Sequence, residues 1–461
     1  MSDSVLLGTP KVREVRTPTR TGQAYWITTF GCQMNDHDSE RVAGLFESDG
    51  LVPAAGLDTA DVVFINTCTI RENADNKLYG TLGHMAKTKR ERPEAVLVVG
   101  GCAAQKDREL IRKRAPWVDV VLGTHNLDRV LALIDQAQEW GPVTEILDQP
   151  ESAAHAQLPI RRDVPYAAWV TIQTGCNNSC TFCIVPSVRG SEISRRPGDI
   201  LREVRALAAD GVVEVTLLGQ NVNTYGRDLA VDGRRRPIFG ELLRRVGEVE
   251  GVRRVRYTSP HPADMTEDVA LAMAETPAVC NQMHFPLQSG SRRILSAMRR
   301  GYTPARYLER LAMMRSHLPG VTVTTDIIVG FPGETEDDFQ ATLDVVEAAQ
   351  FDSAFTFQFS ARPGTRAADM ADEFIDPDVV QERFQRLIDL QNGISLQLNQ
   401  QLVGTEQVVL SEGPSRKNPT TNGSRTDGGK LVHFSGPVPA GSFVTVLVES
   451  AGPYSARGRL L

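Results

Sequence analysis

The sequence predicts an α/β protein in three parts: an N-terminal doubly wound parallel sheet, a central partial (β/α)6 barrel of the TIM type, and a small C-terminal β-barrel. Three observations carry the prediction. Apolar runs of strand length alternate with helically spaced polar segments through residues 23–145 and again through 166–398. A Pro-, Ala- and Gln-containing connector, LDQPESAAHAQLPIRRDVP, separates the two stretches. Beyond about residue 399 the helical spacing stops and short strand-like runs follow. At 461 residues the chain is too long for one core, and roughly three domains are expected. The expected boundaries are a tail over 1–22, domains over 23–145, 166–398 and 399–461, and a linker over 146–165.

In the first domain four runs read as parallel strands: YWITTFGC, DVVFINTC, AVLVVGGC and VDVVLGT. The segment after the first predicts a helix with Asp36 or Asp38 as N-cap, an apolar face of Val42, Leu45 and Phe46, and Gly50 as its stop. Three of the four strands end in cysteine: Cys32, Cys68 and Cys102. In doubly wound sheets the C-terminal strand ends form the ligand crevice, so these thiols are expected to converge. The plainer alternative is three buried packing residues.

The second domain continues through AAWVTIQTGC, VEVTLLGQ, VRRVRYTS, NQMHFPLQ, TVTTDIIVG and DSAFTFQFS, six strands with helices between. Directly after the first strand comes GCNNSCTFC, which places Cys176, Cys180 and Cys183 at the end where such barrels carry their active sites. A closed structural zinc site takes four protein ligands, and no second pair lies nearby. Three thiolates in one loop read instead as an iron-sulfur site with one iron left open. Cys280, in AVCNQMHF, reads as a core thiol.

In the last domain EQVVLSEG, KLVHFSG and GSFVTVLVES read as strands of a barrel of OB-like size. Six Lys and Arg against four Asp and Glu give residues 401–461 a net charge of +2. Arg416, Lys417, Arg425, Lys430, Arg457 and Arg459, with Arg253, Arg254 and Arg256 of the barrel, are candidate phosphate contacts. The module is expected to lie outside the barrel and to be removable without loss of the barrel's chemistry.

The whole chain carries −7, which argues against a protein that coats nucleic acid by bulk charge. The longest apolar run, AVLVVGGCAA, is about half a membrane span, so no membrane partner and a cytoplasmic location are expected. In that compartment seven cysteines point to metal binding or catalysis rather than to disulfides.

C-x3-C-x2-C after the first strand of a partial barrel resembles the radical S-adenosylmethionine (SAM) enzymes. The resemblance implies a 4Fe-4S cluster on Cys176, Cys180 and Cys183, whose open iron chelates the amino and carboxylate groups of SAM. It also places Phe182 and Gly330, the latter in TTDIIVGFPGETE with Gly333, near the adenosyl group. Three further cysteines before the barrel and a β module after it narrow the match to the methylthiotransferases. TFGCQMNDHDSE, NTCTIREN, GGCAAQ, LLGQNVNTYG, FPLQSGSRRILSAMRRGYT and DIIVGFPGETEDDF carry that match. It implies a second, sulfur-delivering 4Fe-4S cluster on Cys32, Cys68 and Cys102, and a C-terminal TRAM domain that binds RNA. Gln220 and Asn221, in the loop Gly219 to Val222, are implied to touch SAM or substrate. Phe30 where tyrosine is common and Ala361 where proline is usual depart from the family pattern and leave the ligands intact.

The implied activity adds a methylthio group to C2 of N6-(dimethylallyl)adenosine next to a tRNA anticodon. Threonylcarbamoyl-adenosine in tRNA or an aspartate of a ribosomal protein is the alternative substrate. The C2–H bond is unactivated, which is why a radical is needed. A base in a loop can be splayed out and read singly, so tRNA is the expected partner despite the acidic bulk. A low-potential electron donor such as flavodoxin or ferredoxin, a sulfur or cluster donor, and a monomeric state complete the expectation.

Overall fold

The computed structural model describes residues 17–69, 72–148, 158–230, 233, 235–415 and 418–461. Residues 149–157 of the predicted linker, and the candidate phosphate contacts Arg416 and Lys417, lie outside the described residues. The chain divides into two compact units. One comprises the described residues up to Asp163 with 174–178 and 183–198; the other comprises 164–173, 179–182 and 199–461. The cysteine loop is therefore shared in sequence: Cys176 and Cys183 belong to the first unit and Cys180 to the second.

The first unit runs β1 (Ala24–Thr29), α1 (Gln33–Ser48), β2 (Val52–Pro53), β3 (Val62–Thr67), α2 (Glu72–Glu91), β4 (Val96–Gly101), α3 (Cys102–Asp107), α4 (Glu109–Arg114), β5 (Val120–Leu122), α5 (Val130–Trp140) and β6 (Val143–Glu145). All strand pairs are parallel, in the order β2-β1-β3-β4-β5-β6. The two short outer strands β2 and β6 add to the four the sequence predicts. β3 and β4 are buried at every position, as continuous apolar runs in a doubly covered sheet must be. Val62, Phe64, Val96 and Val98 face one layer with Val42, Leu45 and Phe46 of α1, while Val63, Ile65, Leu97 and Val99 face the other with Leu78, Leu82 and Met85 of α2. The N-cap of α1 is Cys32 rather than Asp36 or Asp38. Its backbone is extended, and the helix starts at once, so Asp36 falls in the first turn where its charge meets the helix dipole. Asp49 closes the helix, and Gly50 follows at φ +94°.

Around the loop stand β7 (Ala167–Thr171), β8 (Gln173–Thr174), α6 (Val185–Arg189), β9 (Ile193–Ser194) and α7 (Pro197–Ala209). The barrel continues with β10 (Glu214–Leu218), α8 (Phe239–Gly247), β11 (Arg254–Tyr257), α9 (Glu267–Glu275), β12 (Gln282–His284), α10 (Arg292–Ala297), α11 (Pro304–His317), β13 (Thr322–Val329), α12 (Glu336–Ala349), β14 (Ser353–Gln358) and α13 (Pro377–Gln400). β7, β10 and β11 pair in parallel, as do β12, β13 and β14, and a Val255–Val279 bridge joins the two sets. The six predicted strands are present, and among the described residues β7 and β14 find no partner on their outer edges, which leaves the barrel open.

The last five strands, β15 (Glu406–Pro414), β16 (Thr421–Thr426), β17 (Leu431–Ser435), β18 (Phe443–Ala451) and β19 (Ala456–Leu460), close into a barrel around Val409, Val432, Phe434, Val446 and Val448. This barrel is docked on the first. Arg254 donates to the carbonyls of Arg425 and Val408 at 2.8 and 3.2 Å, and Arg256 to those of Asp427 and Thr426 at 2.9 and 3.0 Å. The Asn281 amide donates to Asp427 at 2.8 Å, Lys430 pairs with Asp352 at 2.6 Å, and the Arg253 guanidinium lies 3.7 Å from the Phe443 ring centre. Arg254 begins β11, Asn281 precedes β12 and Asp352 precedes β14, so the module covers the N-terminal rim of the barrel strands. Arg254, Arg256 and Lys430 thus serve docking and are not the phosphate contacts the sequence offers, whereas Arg253 stays exposed beside Phe443. Arg457 and Arg459 remain exposed.

Candidate functional site

Cys32, Cys68 and Cys102 follow β1, β3 and β4, three adjacent strands of the first unit. Neighbouring strands lie about 4.8 Å apart, so three consecutive ends span about 10 Å of one edge. Two glycines make the close approach possible. A Cβ on Gly31 would lie 2.8 Å from Cys68 Cβ, and one on Gly101, where φ is +91°, would lie 2.3 Å from Asn66 Oδ1. Asn35 and Asn66 lock the loops to each other: Asn35 Nδ2 donates to Asn66 Oδ1 at 3.0 Å and to the Thr67 carbonyl at 2.9 Å, and Asn66 Nδ2 returns a bond to the Asn35 carbonyl at 2.7 Å.

Cys68 and Cys102 are buried and Cys32 is half-buried. Burial pushes the Cys102 thiol above its ordinary range while Arg189 pulls it down, and Cys32 is near enough to add to the rise. No three His, Cys, Asp or Glu side chains among the described residues meet at the separation of a single metal ion. A four-iron cube binds each thiolate at a different corner, so a cluster does not require that separation. Three soft donors on one sheet edge fit an iron-sulfur cluster.

In the second unit Cys180 is the start of a connected polar chain. Arg300 Nη1 lies 3.4 Å from Cys180 Sγ, and its Nε donates to the Tyr302 hydroxyl at 3.2 Å. That hydroxyl in turn donates to the carbonyls of Pro286 and Leu287. The Tyr302 ring meets His261 edge-on at 5.7 Å, and His261 Nδ1 lies 3.8 Å from Asp264. Asp264 accepts from Asn221 Nδ2 at 2.9 Å. Burial, with the Arg300 charge adding to it, pushes His261 down to about 3, so the imidazole is neutral.

Gln220 Oε1, Asn221 Oδ1 and His261 Nε2 are buried and meet no hydrogen-bond partner among the described residues. Such atoms are rare unless a ligand or water answers them. They stand after β10 and β11, at the strand ends where barrel ligands bind, and fit a polar ligand such as SAM or a base. Phe182 packs on Ile294, Met298, Phe331 and Ala367. The Gly330 amide donates at 2.9 Å to Glu334, which is buried with Arg383 at 3.3 Å. Glu334→Ala strands that amide and takes one carboxylate from the buried Arg383, which keeps Glu336 at 3.1 Å and the carbonyl of residue 334 at 3.0 Å. It is expected to cost about 3 kcal/mol, read by denaturant unfolding, where Glu336→Ala at the exposed end of the same network costs under about 1 kcal/mol.

Cys280 is a core thiol, buried and pushed up to about 12. Asn35, Asn66, Arg189 and Arg300 are site residues the sequence reading did not single out, although all but Arg189 lie inside the motifs that carried the resemblance.

Three family models match the chain: the radical SAM superfamily over residues 170–346, an uncharacterized protein family, UPF0004, over 24–123, and the TRAM domain over 400–461. A tRNA-2-methylthio-N(6)-dimethylallyladenosine synthase of Nocardia farcinica is 55% identical across 94% of this chain and 88% of its own. Its namesake in Rhodococcus jostii is 54% identical across 95% and 88%. Among solved structures, the radical SAM methyltransferase TsrM of Kitasatospora setae, determined with cobalamin and a 4Fe-4S cluster, superposes with a TM-score of 0.57 over 76% of this chain and 77% of its own. At 16% identity that likeness concerns the fold. Among the described residues no helix is long and apolar enough to cross a membrane. Identity above one half along nearly the whole length, together with six cysteines at the strand ends and loop just described, makes this chain a member of the tRNA-2-methylthio-N(6)-dimethylallyladenosine synthase family of radical SAM enzymes.

Proposed function

We propose that this chain is a transferase that adds a methylthio group to C2 of N6-(dimethylallyl)adenosine next to the anticodon of tRNA. The observation that carries the reading is the close kinship to synthases of that name across all three parts of the chain. Within it, residues 23–145 are the domain of the sulfur-delivering cluster, 166–398 the radical SAM core and 399–461 the RNA-binding module. Cys32, Cys68 and Cys102 hold one 4Fe-4S cluster, and Cys176, Cys180 and Cys183 hold a second. When bound, the clusters and SAM supply homolytic cleavage and a site for sulfur.

The chain's own residues bind, orient and exclude water. Gln220 and Asn221 present their orphaned oxygens to ligand donors, and Asp264 fixes the Asn221 amide by accepting from its nitrogen. Neutral His261 offers a ring nitrogen without introducing a charge. Phe182 gives an apolar wall, and Gly330, anchored by Glu334, brings backbone close to the adenosyl group. A flavodoxin or ferredoxin as reductant, a sulfur donor, a cytoplasmic location and a monomeric state belong to the same reading.

Two measurements test it. Nucleoside mass analysis of tRNA from a strain lacking this protein is expected to lose the methylthiolated, prenylated adenosine and accumulate the unthiolated form; an unchanged profile overturns the substrate. Anaerobic reconstitution is expected to load about eight iron atoms per chain, and saturation near four removes one cluster.

A further inference from the structure

Each cysteine set has a buried arginine against it. Arg189 closes α6, the short helix that begins two residues after Cys183. Its guanidinium pairs with Asp38 of α1 at 2.8 Å, both side chains almost wholly buried. It also hydrogen-bonds Cys102 and lies within electrostatic reach of Cys32. A guanidinium keeps its charge in proteins, and the paired Asp38 carboxylate answers it in the buried site. The position is fixed mechanically as well. Ile184 and Val188 of α6 pack on Cys102, and the Thr124 hydroxyl donates to the Val188 carbonyl at 2.6 Å. In the other unit Arg300, equally buried, makes the corresponding contact to Cys180 and is held by Tyr302.

Buried guanidinium groups are expensive, and a pure packing role is met more cheaply by an apolar side chain. What a guanidinium adds is a donor and a positive charge aimed at sulfur. A thiolate-bound cluster gains negative charge on reduction, and hydrogen bonds to its sulfurs and nearby charge set how readily it does so. We propose that Arg189 is a positioning residue that raises the reduction potential of the cluster held by Cys32, Cys68 and Cys102, that Asp38 aims and partly offsets its charge, and that Arg300 does the same for the barrel cluster through Cys180. The inference rests on the reading of the six cysteines as cluster ligands.

The test is an anaerobic redox titration followed by electron paramagnetic resonance on the full-length chain, in two parents that each keep one cluster. One parent carries Cys176→Ala, Cys180→Ala and Cys183→Ala; the other carries Cys32→Ala, Cys68→Ala and Cys102→Ala. In the first, Arg189→Gln is expected to move the midpoint to more negative potential, Arg189→Lys to keep most of the parental value, and Asp38→Asn to move it the opposite way. In the second, Arg300→Gln moves the midpoint negative while Arg189→Gln leaves it in place. Equal iron with superimposable titrations in parent and Arg189→Gln overturns the assignment, as does a shift in the barrel cluster instead. Should Arg189→Gln fail to assemble, Arg189→Lys and Asp38→Asn decide: a near-parental midpoint in the first with a positive shift in the second supports the assignment, and no positive shift in Asp38→Asn overturns it. A parent that keeps its three cysteines and holds no iron fells the ligand reading itself, and the arginine role with it; a loaded parent with unmoved potentials fells the arginine role alone.

Discussion

Replacing Cys32, Cys68 and Cys102 together by alanine is expected to leave reductive SAM cleavage in place while methylthiolated adenosine disappears, whereas Cys176→Ala, Cys180→Ala or Cys183→Ala each removes both. The separation follows from position. The first three lie on consecutive strand ends of one sheet; of the other three, Cys180 reaches His261 through Arg300 and Tyr302, in the unit that carries the orphaned polar atoms of Gln220, Asn221 and His261. The triple variant should fold. Each substitution removes one sulfur from a half-buried or buried site, about 1 kcal/mol apiece, and the Asn35–Asn66 lock loses only the Cys32 thiol's 3.6 Å contact to Asn35 Oδ1 while the bonds between Asn35, Asn66 and Thr67 remain. Parallel assays of 5'-deoxyadenosine and of the modified nucleoside check it. Methylthiolation at the wild-type rate in the triple variant would return these cysteines to packing residues.

The second large effect concerns the C-terminal barrel. Removing residues 399–461 is expected to unfold or precipitate the second unit rather than to yield an active barrel that has lost RNA affinity. The deletion takes away the carbonyl partners of Arg254 and Arg256 and the carboxylate to which Asn281 donates, and opens the face they share, although Arg256 keeps Glu214 at 3.0 Å. At about 1 kcal/mol net for each exchanged bond, with the newly bared apolar surface added, the loss becomes a large part of the 5–15 kcal/mol that holds a typical domain together. RNA contact is therefore tested on the surface: Arg457→Ala with Arg459→Ala should leave the melting temperature in place, weaken tRNA binding and lower the salt slope of log K by roughly one to two. A soluble deletion variant that still cleaves SAM would overturn the docking account.

The sheet and barrel were legible because burial imposes period. β3 and β4 are apolar at every position since helices cover both faces, and the cysteines were legible because each ends such a run. Arg254 and Arg256 misled for a related reason. They alternate with Val255 and Tyr257 on β11 and so read as the wet side of a strand, yet the face they share is covered by a domain that begins about 150 residues later. Arg189 was invisible as a site residue and Asn66, though inside a quoted motif, had no role assigned, because their partners lie 151 and 31 positions away, Asp38 and Asn35 respectively, and no local pattern records a contact at such range. The N-cap of α1 was missed because a cysteine is a poor cap, and it takes that position through its place at the strand end.

The docking of the C-terminal barrel makes the second unit a ruler. Were the module tethered by a flexible linker, a gripped RNA would sweep many distances past the reaction centre, and selection of one nucleotide would fall to the base pocket alone. Arg254 and Arg256 buried against β-barrel carbonyls fix the span from Arg457 and Arg459 to the strand ends that carry the chemistry. An RNA backbone bound at Arg457 and Arg459, the contact the double alanine variant tests, would offer up the nucleotide that lies one set length away, and the fold itself would then count along the stem before any base is read.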